Sequence, residues 1–199
     1  MKTSLCLLAL VGMVATTWAA PEVGKPAPAF SLKDASGAEK SLADYKGKYV
    51  VLEWVNFGCP FVRKHYDTQN MQNLQKELTG KDVVWLSICS SAPGKQGYVE
   101  PSEVAATVKK EGSNASAYLL DSDGKVGKLY GARTTPEMYI INPEGTLIYS
   151  GAIDDNATPD KSTVAGANNY VKAALADAEA GKAVSTPSTK PYGCSVKYE

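Results

Sequence analysis

The feature that most constrains this chain is a buried strand that runs directly into a helix, with a cysteine at the junction. Residues 49–57 form an almost continuous apolar run, as expected for a strand covered on both faces. Cys59 then stands at the N-cap position, and Pro60 suits the first helical position, where its missing N–H would have no partner. Val62, Tyr66, Asn70, Leu74 and Leu78 recur every four residues and all but Asn70 are apolar, which predicts one helix ending near Thr79 with Gly80 as its C-cap.

This arrangement gives Cys59 the environment of a reactive thiol. Free backbone N–H groups and the positive end of the helix dipole favour the thiolate, and such positions lower a cysteine pKa from about 8.5 to roughly 3.5–7.5. The alternative is an inert, buried cysteine that happens to precede a helix, since free cysteines are among the most buried side chains. The order strand, glycine, cysteine, proline, helix favours the reactive thiol.

The N-terminus has the pattern of a secretory signal. Residues 1–19 contain a basic Lys2, an apolar core over residues 5–15 and small residues that suit cleavage after Ala19. The apolar core is shorter than the ~20 residues that cross a bilayer, so we expect an exported protein, periplasmic or secreted, with no stable membrane insertion after cleavage. Residues 20–181 are then expected to form one domain, and residues 182–199 a C-terminal tail.

Charge and cysteine content narrow the function further. The chain has 21 basic and 21 acidic residues and no basic run interleaved with aromatics, which argues against a nucleic-acid partner. Removal of the signal leaves Cys59, Cys89 and Cys194. An odd number of cysteines in an oxidising compartment implies at least one free thiol or an intermolecular bond.

A second apolar strand, residues 82–89, follows the helix and predicts parallel pairing in an α/β fold. Because ligands meet the carboxyl ends of such strands, the loop at residues 90–98 should border Cys59, unless it is an ordinary polar connection. Cys89 shares its strand face with apolar residues, which favours a buried structural thiol over a second catalytic one.

The remaining elements are short. The patterns predict helices over residues 41–45, 103–110 and 127–130, a strand over 117–120, an antiparallel hairpin of 137–141 with 146–149, and a last helix from Ser162 or Thr163 to Gly181.

Several segments together resemble the thioredoxin-fold redoxins, the group of thioredoxins, peroxiredoxins and alkyl hydroperoxide reductase C/thiol-specific antioxidant proteins. They are GKPAPAFSLKDASG, the strand with its Cys59-Pro60 helix, and TTPEMYIINPEGTLIYSG, within residues 24–154. CPFV and the tail TKPYGCSVKY look most like the exported, peroxiredoxin-like members. The resemblance implies an α/β, thioredoxin-like fold with a central mixed sheet flanked by helices, an N-terminal extension and an extended C-terminal tail.

The resemblance also implies roles for single residues. Cys59 matches the nucleophilic first cysteine of the thioredoxin C-x-x-C motif, and Val62 takes the place of the second. Pro136 matches the cis-proline loop, so Thr135 and Pro136 would bind an extended substrate. Glu53 matches the buried acid of thioredoxins, which exchanges protons with the cysteine pair.

Two of the polar residues near the cysteine have alternative interpretations. Glu53 serves either as a proton acceptor or in an ion pair with a lysine such as Lys48. His65 is either a weak copper ligand with Cys59 or part of a solvated or partly packed cationic helix face, with Arg63 and Lys64, that stabilises the thiolate. We expect no metal and no cofactor.

The match to peroxiredoxins is poorer. Leu52 and Asn56 stand where those enzymes carry a proline and a threonine, and Pro136 takes roughly the place of their active-site arginine. Peroxide reduction needs donors that polarise the O–O bond. Asn56, Arg63 and Arg133 are the residues that could supply them.

We therefore expect a redox enzyme, an exported thiol–disulfide oxidoreductase that uses Cys59 and acts on protein or small-molecule thiols and disulfides. Cys194 is expected to resolve the mixed disulfide, since the thirteen residues after Gly181 can span roughly 40 Å. The alternatives for Cys194 are a frayed terminus or a structural disulfide. The alternatives for the whole protein are a peroxiredoxin-like thiol peroxidase and a non-catalytic thiol- or metal-binding module.

Overall fold

The computed structural model describes residues 20–199, so the predicted signal peptide lies outside the described residues. The strands are β1 (Ser31–Asp34), β2 (Glu39–Ser41), β3 (Val50–Trp54), β4 (Val84–Cys89), β5 (Ala117–Leu120), β6 (Thr134–Thr135), β7 (Glu137–Ile141), β8 (Leu147–Gly151) and β9 (Cys194–Ser195). The helices are α1 (Pro60–Asp67), α2 (Asn70–Thr79), α3 (Val104–Glu111), α4 (Lys125–Tyr130) and α5 (Tyr170–Glu179), with short 3-10 turns at Leu42–Tyr45, Pro101–Glu103 and Lys161–Thr163. No helix within residues 20–199 is both long and apolar enough to cross a bilayer.

Seven strands form one mixed sheet in the order β2-β1-β5-β4-β3-β7-β8. The central strand β3 is parallel to β4 and antiparallel to β7, and β4 is parallel to β5. This confirms the α/β fold with a mixed sheet flanked by helices. The extended N-terminal segment runs beside the start of β8, where Gly24 N donates to Leu147 O over 2.8 Å.

The apolar run of β3 is buried because helices cover both faces of the sheet. Val51 belongs to the core cluster formed with α1, α2 and α5, whereas Leu52 and Trp54 belong to the cluster on the other face, with Tyr130 of α4. The buried strand therefore ends with Cys59 at the edge where the parallel strands have their carboxyl ends.

The prediction of one continuous helix after Cys59 is wrong, because the helix breaks between α1 and α2. The Thr68 hydroxyl donates to Lys64 O over 2.8 Å, and Gln69 adopts the left-handed conformation with φ +61°. The apolar spacing persists across the break because Tyr66 and Leu74 both face the same core cluster. The predicted C-cap at Gly80 is confirmed.

The last helix also begins later than predicted. Lys161–Thr163 forms only a 3-10 turn, and α5 starts at Tyr170, where the Asn169 side chain caps Lys172 N over 2.9 Å. Its end at Glu179, close to Gly181, agrees with the prediction.

The break after α1 gives a stability prediction. A non-glycine residue in the left-handed conformation costs roughly 1–2 kcal/mol, and glycine at the exposed position of Gln69 would not carry this cost. We expect Gln69→Gly to raise the free energy of unfolding by up to about 1 kcal/mol in urea titrations, after the entropy of the more flexible unfolded chain is subtracted. Gln69→Ala, which keeps the restriction, is the control. If Gln69→Gly is no more stable than Gln69→Ala, the prediction is contradicted.

Candidate active site

The structure places Cys59 at the N-cap of α1, as the sequence predicts, and buries it completely. Its backbone N–H donates to Asn56 O over 2.9 Å, and its carbonyl accepts from Arg63 N over 2.8 Å. The side chain does not cap the helix. Instead, the thiol donates to the backbone oxygen of Thr135 over 3.1 Å.

Thr135 belongs to the loop that the sequence resemblance singled out. The Thr135-Pro136 peptide bond is cis, as that resemblance implies. Thr134 and Thr135 form β6, a short strand outside the main sheet, whose partner is β9 of the C-terminal tail. Cys59, the cis-proline loop and the tail therefore meet at one place.

The tail brings Cys194 directly to Cys59. In the antiparallel β6–β9 pair, Cys194 lies opposite Thr135, the residue whose backbone oxygen accepts from the Cys59 thiol, so the two cysteines are neighbours. Gly193 makes this approach possible: its φ is +139°, and a Cβ there would lie 2.1 Å from Thr135 O. Cys59, Cys89 and Cys194 are all free thiols in this structure.

The two facing cysteines differ in acidity. Burial alone would raise the pKa of Cys59, but hydrogen bonds from Cys194 and the Thr135 side chain outweigh it and lower the pKa. The N–H of Val62 in the first turn of α1 acts in the same direction. The buried Thr135 hydroxyl has no hydrogen-bond partner in the described chain, so it is free to donate to the neighbouring Cys59 sulfur once that sulfur is a thiolate.

The pKa of Cys194 is shifted in the opposite direction to that of Cys59. Burial, the hydrogen bond to Cys59 and the negative charge of that thiolate raise the pKa of Cys194 to about 11. Cys59 is therefore the thiol of the pair that loses its proton first, which is the property a nucleophile needs.

The expected solvated or partly packed cationic helix face beside Cys59 is wrong. Lys64 and His65 are completely buried, and Arg63 is ion-paired with Asp67 and Glu111. Hydrogen bonds, rather than unpaired cations, favour the Cys59 thiolate.

His65 is held away from the cysteine pair. Its Nδ1 lies 2.8 Å from the Asn70 side chain and its Nε2 lies 3.4 Å from the Tyr192 hydroxyl. Burial, against the charge of Asp154, lowers the pKa of His65 to about 4, so the ring is neutral at physiological pH. Among residues 20–199 no group of three or more His, Cys, Asp or Glu side chains could hold a metal ion.

Glu53 is buried and is surrounded by donors. Its carboxylate accepts from Ser87 (2.7 Å), Trp85 (2.8 Å), Tyr66 (3.1 Å) and Gln75 (3.1 Å). The alternative of an ion pair between Glu53 and Lys48 is wrong, because Lys48 is exposed just before the start of β3 and pairs with Asp82 over 2.6 Å. Burial raises the pKa of Glu53 despite these four donors.

The loop at residues 90–98 borders the cysteine, as predicted. The Gln96 side chain donates to Gly58 O over 3.0 Å, and Asn56 donates to Gln96 O over 3.1 Å. Cys89 is buried and donates to Gly97 O over 3.3 Å. This contact with a loop carbonyl, away from Cys59, fits a structural thiol.

The three residues that could polarise a peroxide are engaged in other contacts or exposed. Asn56 binds Gly58 N and Gln96 O, Arg63 is ion-paired, and Arg133 is exposed. The donors that act on the Cys59 sulfur within the described chain are instead those of Thr135, Cys194 and the first turn of α1.

Sequence reasoning missed the buried group at the base of the tail. Asp154, which follows β8, contacts Lys64, His65 and Tyr192. The only sequence signal is an aromatic residue two positions before Cys194, which by itself does not identify a contact with residues so far away in the chain.

A cysteine at a helix N-terminus beside a cis-proline loop, on a mixed sheet flanked by helices, defines a thioredoxin-like protein. The chain belongs to the AhpC/TSA family, whose sequence profile matches residues 23–150.

The chain is similar in sequence to two kinds of redox protein. Thiol-disulfide oxidoreductase ResA of Bacillus subtilis is 27% identical over 125 residues, which are 63% of this chain and 64% of that protein. The chain thus matches slightly less than two thirds of ResA. A putative peroxiredoxin of Mycobacterium tuberculosis is 27% identical over 144 residues, covering 72% of this chain and 84% of that protein.

Solved structures extend the likeness to most of the chain. A hypothetical protein of Sinorhizobium meliloti superposes with a TM-score of 0.77 at 26% identity, over 91% of this chain and 97% of that one. An uncharacterised conserved protein of Geobacillus kaustophilus has a TM-score of 0.75 at 26% identity, over 92% and 94%. The thioredoxin-like fold is confirmed by these and by the thioredoxin domain of a Bacteroides vulgatus thiol-disulfide oxidoreductase, at 21% identity and TM-score 0.52, over 74% and 98%.

The raised pKa of Glu53 predicts how its charge affects stability. At pH values between the ordinary carboxyl pKa of 4.5 and the raised pKa of buried Glu53, the folded protein keeps a proton on Glu53 that the unfolded chain loses. Stability therefore falls as pH rises through this window, by about 1.4 kcal/mol per pH unit, and is fully retained below it. Glu53→Gln keeps an oxygen for the donors and should remove this slope in urea unfolding between pH 4 and 9. Identical slopes for both proteins would show that Glu53 ionises normally.

Proposed function

We propose that this protein is a thiol–disulfide oxidoreductase in which Cys59 is the nucleophile and Cys194 the resolving cysteine. The observation that supports this most directly is the β6–β9 pairing, which sets Cys194 opposite Thr135, the residue whose backbone oxygen accepts from the Cys59 thiol. The tail thus supplies the second thiol that Val62 cannot supply from the helix.

The reaction then proceeds by two exchanges. The Cys59 thiolate attacks one sulfur of a substrate disulfide, so that a mixed disulfide forms and the other substrate sulfur leaves as a thiolate. Cys194 then loses its proton and attacks the Cys59 sulfur, releasing the second substrate thiol and forming Cys59–Cys194. The substrate disulfide gains two electrons and the cysteine pair loses two. The reverse sequence oxidises a dithiol.

The acidity difference supports this assignment of roles. The thiol with the lower pKa is both the more abundant thiolate and the better leaving group. Cys59 therefore attacks readily, and it also leaves readily when a reductant opens the Cys59–Cys194 bond at Cys194.

The remaining site residues are assigned by position. The backbone oxygen of Thr135 accepts from the Cys59 thiol, and Thr135 and Pro136 are proposed to bind an extended substrate, which would pair with β6 once the tail has moved. Glu53 is proposed as a proton acceptor on the strength of its raised pKa. Glu53 accepts hydrogen bonds from Tyr66 and from Trp85 of β4, not from Cys59. A proton passing from the cysteine pair to Glu53 would therefore have to travel through an intervening group.

The substrates are protein or small-molecule thiols and disulfides, and the site of action is outside the cytoplasm, periplasmic or secreted. The first point rests on the thiol-disulfide oxidoreductase relative and the cysteine pair, and the second on residues 1–19 of the sequence.

A second candidate function is peroxide reduction, favoured by the family and by the putative peroxiredoxin relative. In this case Cys59 would be oxidised to a sulfenic acid, and Cys194 would condense with it to form the same disulfide with loss of water. The occupied or exposed side chains of Asn56, Arg63 and Arg133 weigh against efficient catalysis. The third possibility is a non-catalytic binding module. It was suggested by the absence of a second cysteine from the helix, and it is less well supported because Cys194 lies beside Cys59.

The proposal predicts a specific disulfide. Mild oxidation of the reduced monomer should give a Cys59–Cys194 peptide in non-reducing mass spectrometry, with Cys89 still a thiol. Mild dithiothreitol should reopen the bond without unfolding the domain, which a structural staple would resist. Turnover of a disulfide substrate should exceed that of hydrogen peroxide, with Cys59→Ser as the inactive control. No linked peptide under conditions where Cys59 itself reacts would end the proposal.

Gly193 gives a second test of the same contact. Gly193→Ala would place a methyl group 2.1 Å from Thr135 O, so the tail cannot pair with β6 in its present form. We expect the yield of Cys59–Cys194 at a fixed glutathione ratio to fall at least about tenfold, since an alanine Cβ never approaches backbone so closely. Gly37→Ala, also at positive φ but with open space around it, is the matched control and should change nothing at the site. Equal yields in all three proteins would mean that the tail reaches Cys59 in another way.

A further inference from the structure

A buried group of polar side chains lies between α1 and the segment after β8. Lys64 and His65 are completely buried, and Asp154 is 3% exposed. The Lys64 ammonium donates to Asn156 O over 2.8 Å and lies 3.7 Å from the Asp154 carboxylate. Buried charges of this kind are costly unless they are paired and hydrogen-bonded, and the proposed exchange reaction does not use them.

The C-terminal tail completes this group. The Tyr192 hydroxyl donates a hydrogen bond to Asp154, and its ring lies 5.7 Å from the Lys64 ammonium and 5.9 Å from the Phe61 ring. Without Tyr192, the Asp154 carboxylate would lose a hydrogen bond and the lysine would lose its aromatic neighbour. The buried charges therefore form a receptor for one side chain of the tail.

Tyr192 stands two residues before Cys194, and both side chains pack against the same core cluster as Cys59. The glycine between them has its backbone against Thr135. Any movement that withdraws Tyr192 from Asp154 therefore also displaces Cys194 from its position beside Thr135.

We propose that Tyr192, seated against Lys64 and Asp154, is a positioning residue that holds Cys194 over Cys59. The proposal rests on the function proposed above. It assigns the buried Lys64–Asp154 pair to the resolving step: the pair fixes the tail, and the tail both covers the nucleophile and supplies the thiol that resolves its mixed disulfide.

The tail has other anchors, and they give a comparison. On the far side of Cys194, the Tyr198 hydroxyl donates to Ala132 O over 2.8 Å, a neutral acceptor. Hydrogen bonds to charged acceptors are worth more than those to neutral ones. If Tyr192 is the positioning residue, its hydroxyl matters more to Cys59 than the hydroxyl of Tyr198 does.

The first measurement is the protection of Cys59 in the reduced full-length protein. Because Cys59 is completely buried, iodoacetamide reaches it only when the tail opens, so the alkylation rate reports the fraction opened. Tyr192→Phe keeps the ring and removes the hydroxyl. Peptide mass spectrometry should show Cys59 alkylated about tenfold faster, as expected for loss of a hydrogen bond to a carboxylate. Buried Cys89 should keep its rate, which a general loosening of the fold would raise.

The second measurement is the effective concentration of Cys194, from the equilibrium between Cys59–Cys194 and glutathione. Tyr192→Phe should lower it by about the same factor. Tyr198→Phe is the matched control and should change both quantities less. In an Asp154→Asn background, Tyr192→Phe should have a smaller effect, because the charged acceptor is gone.

The outcomes separate the two proposals. If the wild-type protein forms no Cys59–Cys194 bond in glutathione buffer, the proposed function fails. If the bond forms but Tyr192→Phe changes neither the Cys59 alkylation rate nor the effective concentration by more than about twofold, Tyr192 is not a positioning residue. Equal effects of Tyr192→Phe and Tyr198→Phe, or an undiminished effect of Tyr192→Phe in the Asp154→Asn background, would also overturn the role of the Lys64–Asp154 receptor.

Discussion

The rest of the site depends on the contact between the Cys59 sulfur and the backbone of Thr135. The carbonyl of Thr135 accepts from the thiol, its side chain favours the thiolate, and its strand β6 pairs with the tail. One residue therefore links the end of β3, the cis-proline loop and the C-terminus. The fold positions this residue by placing β7, which follows directly, beside β3 in the sheet.

In the proposed reaction the second thiol comes from the tail rather than from the helix, which would give the cysteine pair properties that a C-x-x-C pair lacks. The two sulfurs lie about 135 residues apart in the chain, and a disulfide between them closes a loop that contains most of the domain. In a C-x-x-C motif the geometry of a single turn fixes the pair, whereas here it depends on how firmly the tail is held. Glu53 and its four donors lie in the buried core. One of these donors, the Tyr66 hydroxyl, belongs to α1, so this hydrogen bond ties the helix that follows Cys59 to β3.

The parts of this structure that local patterns control could be predicted from the sequence. The strand before Cys59, its N-cap position and the hairpin follow from periodicity and turn residues, and the cis peptide at Pro136 followed from family resemblance. The reach of Cys194 could be argued from tail length. The helix break at Gln69 could not be predicted, because the apolar spacing continues across it. Nor could the burial of Lys64, since its compensation by Asp154 and Tyr192 depends on residues about 90 and 130 positions away.

The pairing of β9 with β6 means that the edge beside Cys59 is already occupied. A foreign polypeptide that pairs with this edge competes with a strand of the same molecule, whose local concentration, for a tethered segment of this length, is in the millimolar range. Such a competitor succeeds only when it binds tightly enough to outweigh that concentration. A small disulfide that contacts the sulfur without adding a strand faces a lower threshold. If the proposed function holds, the tail would therefore favour small disulfides over extended polypeptides as substrates.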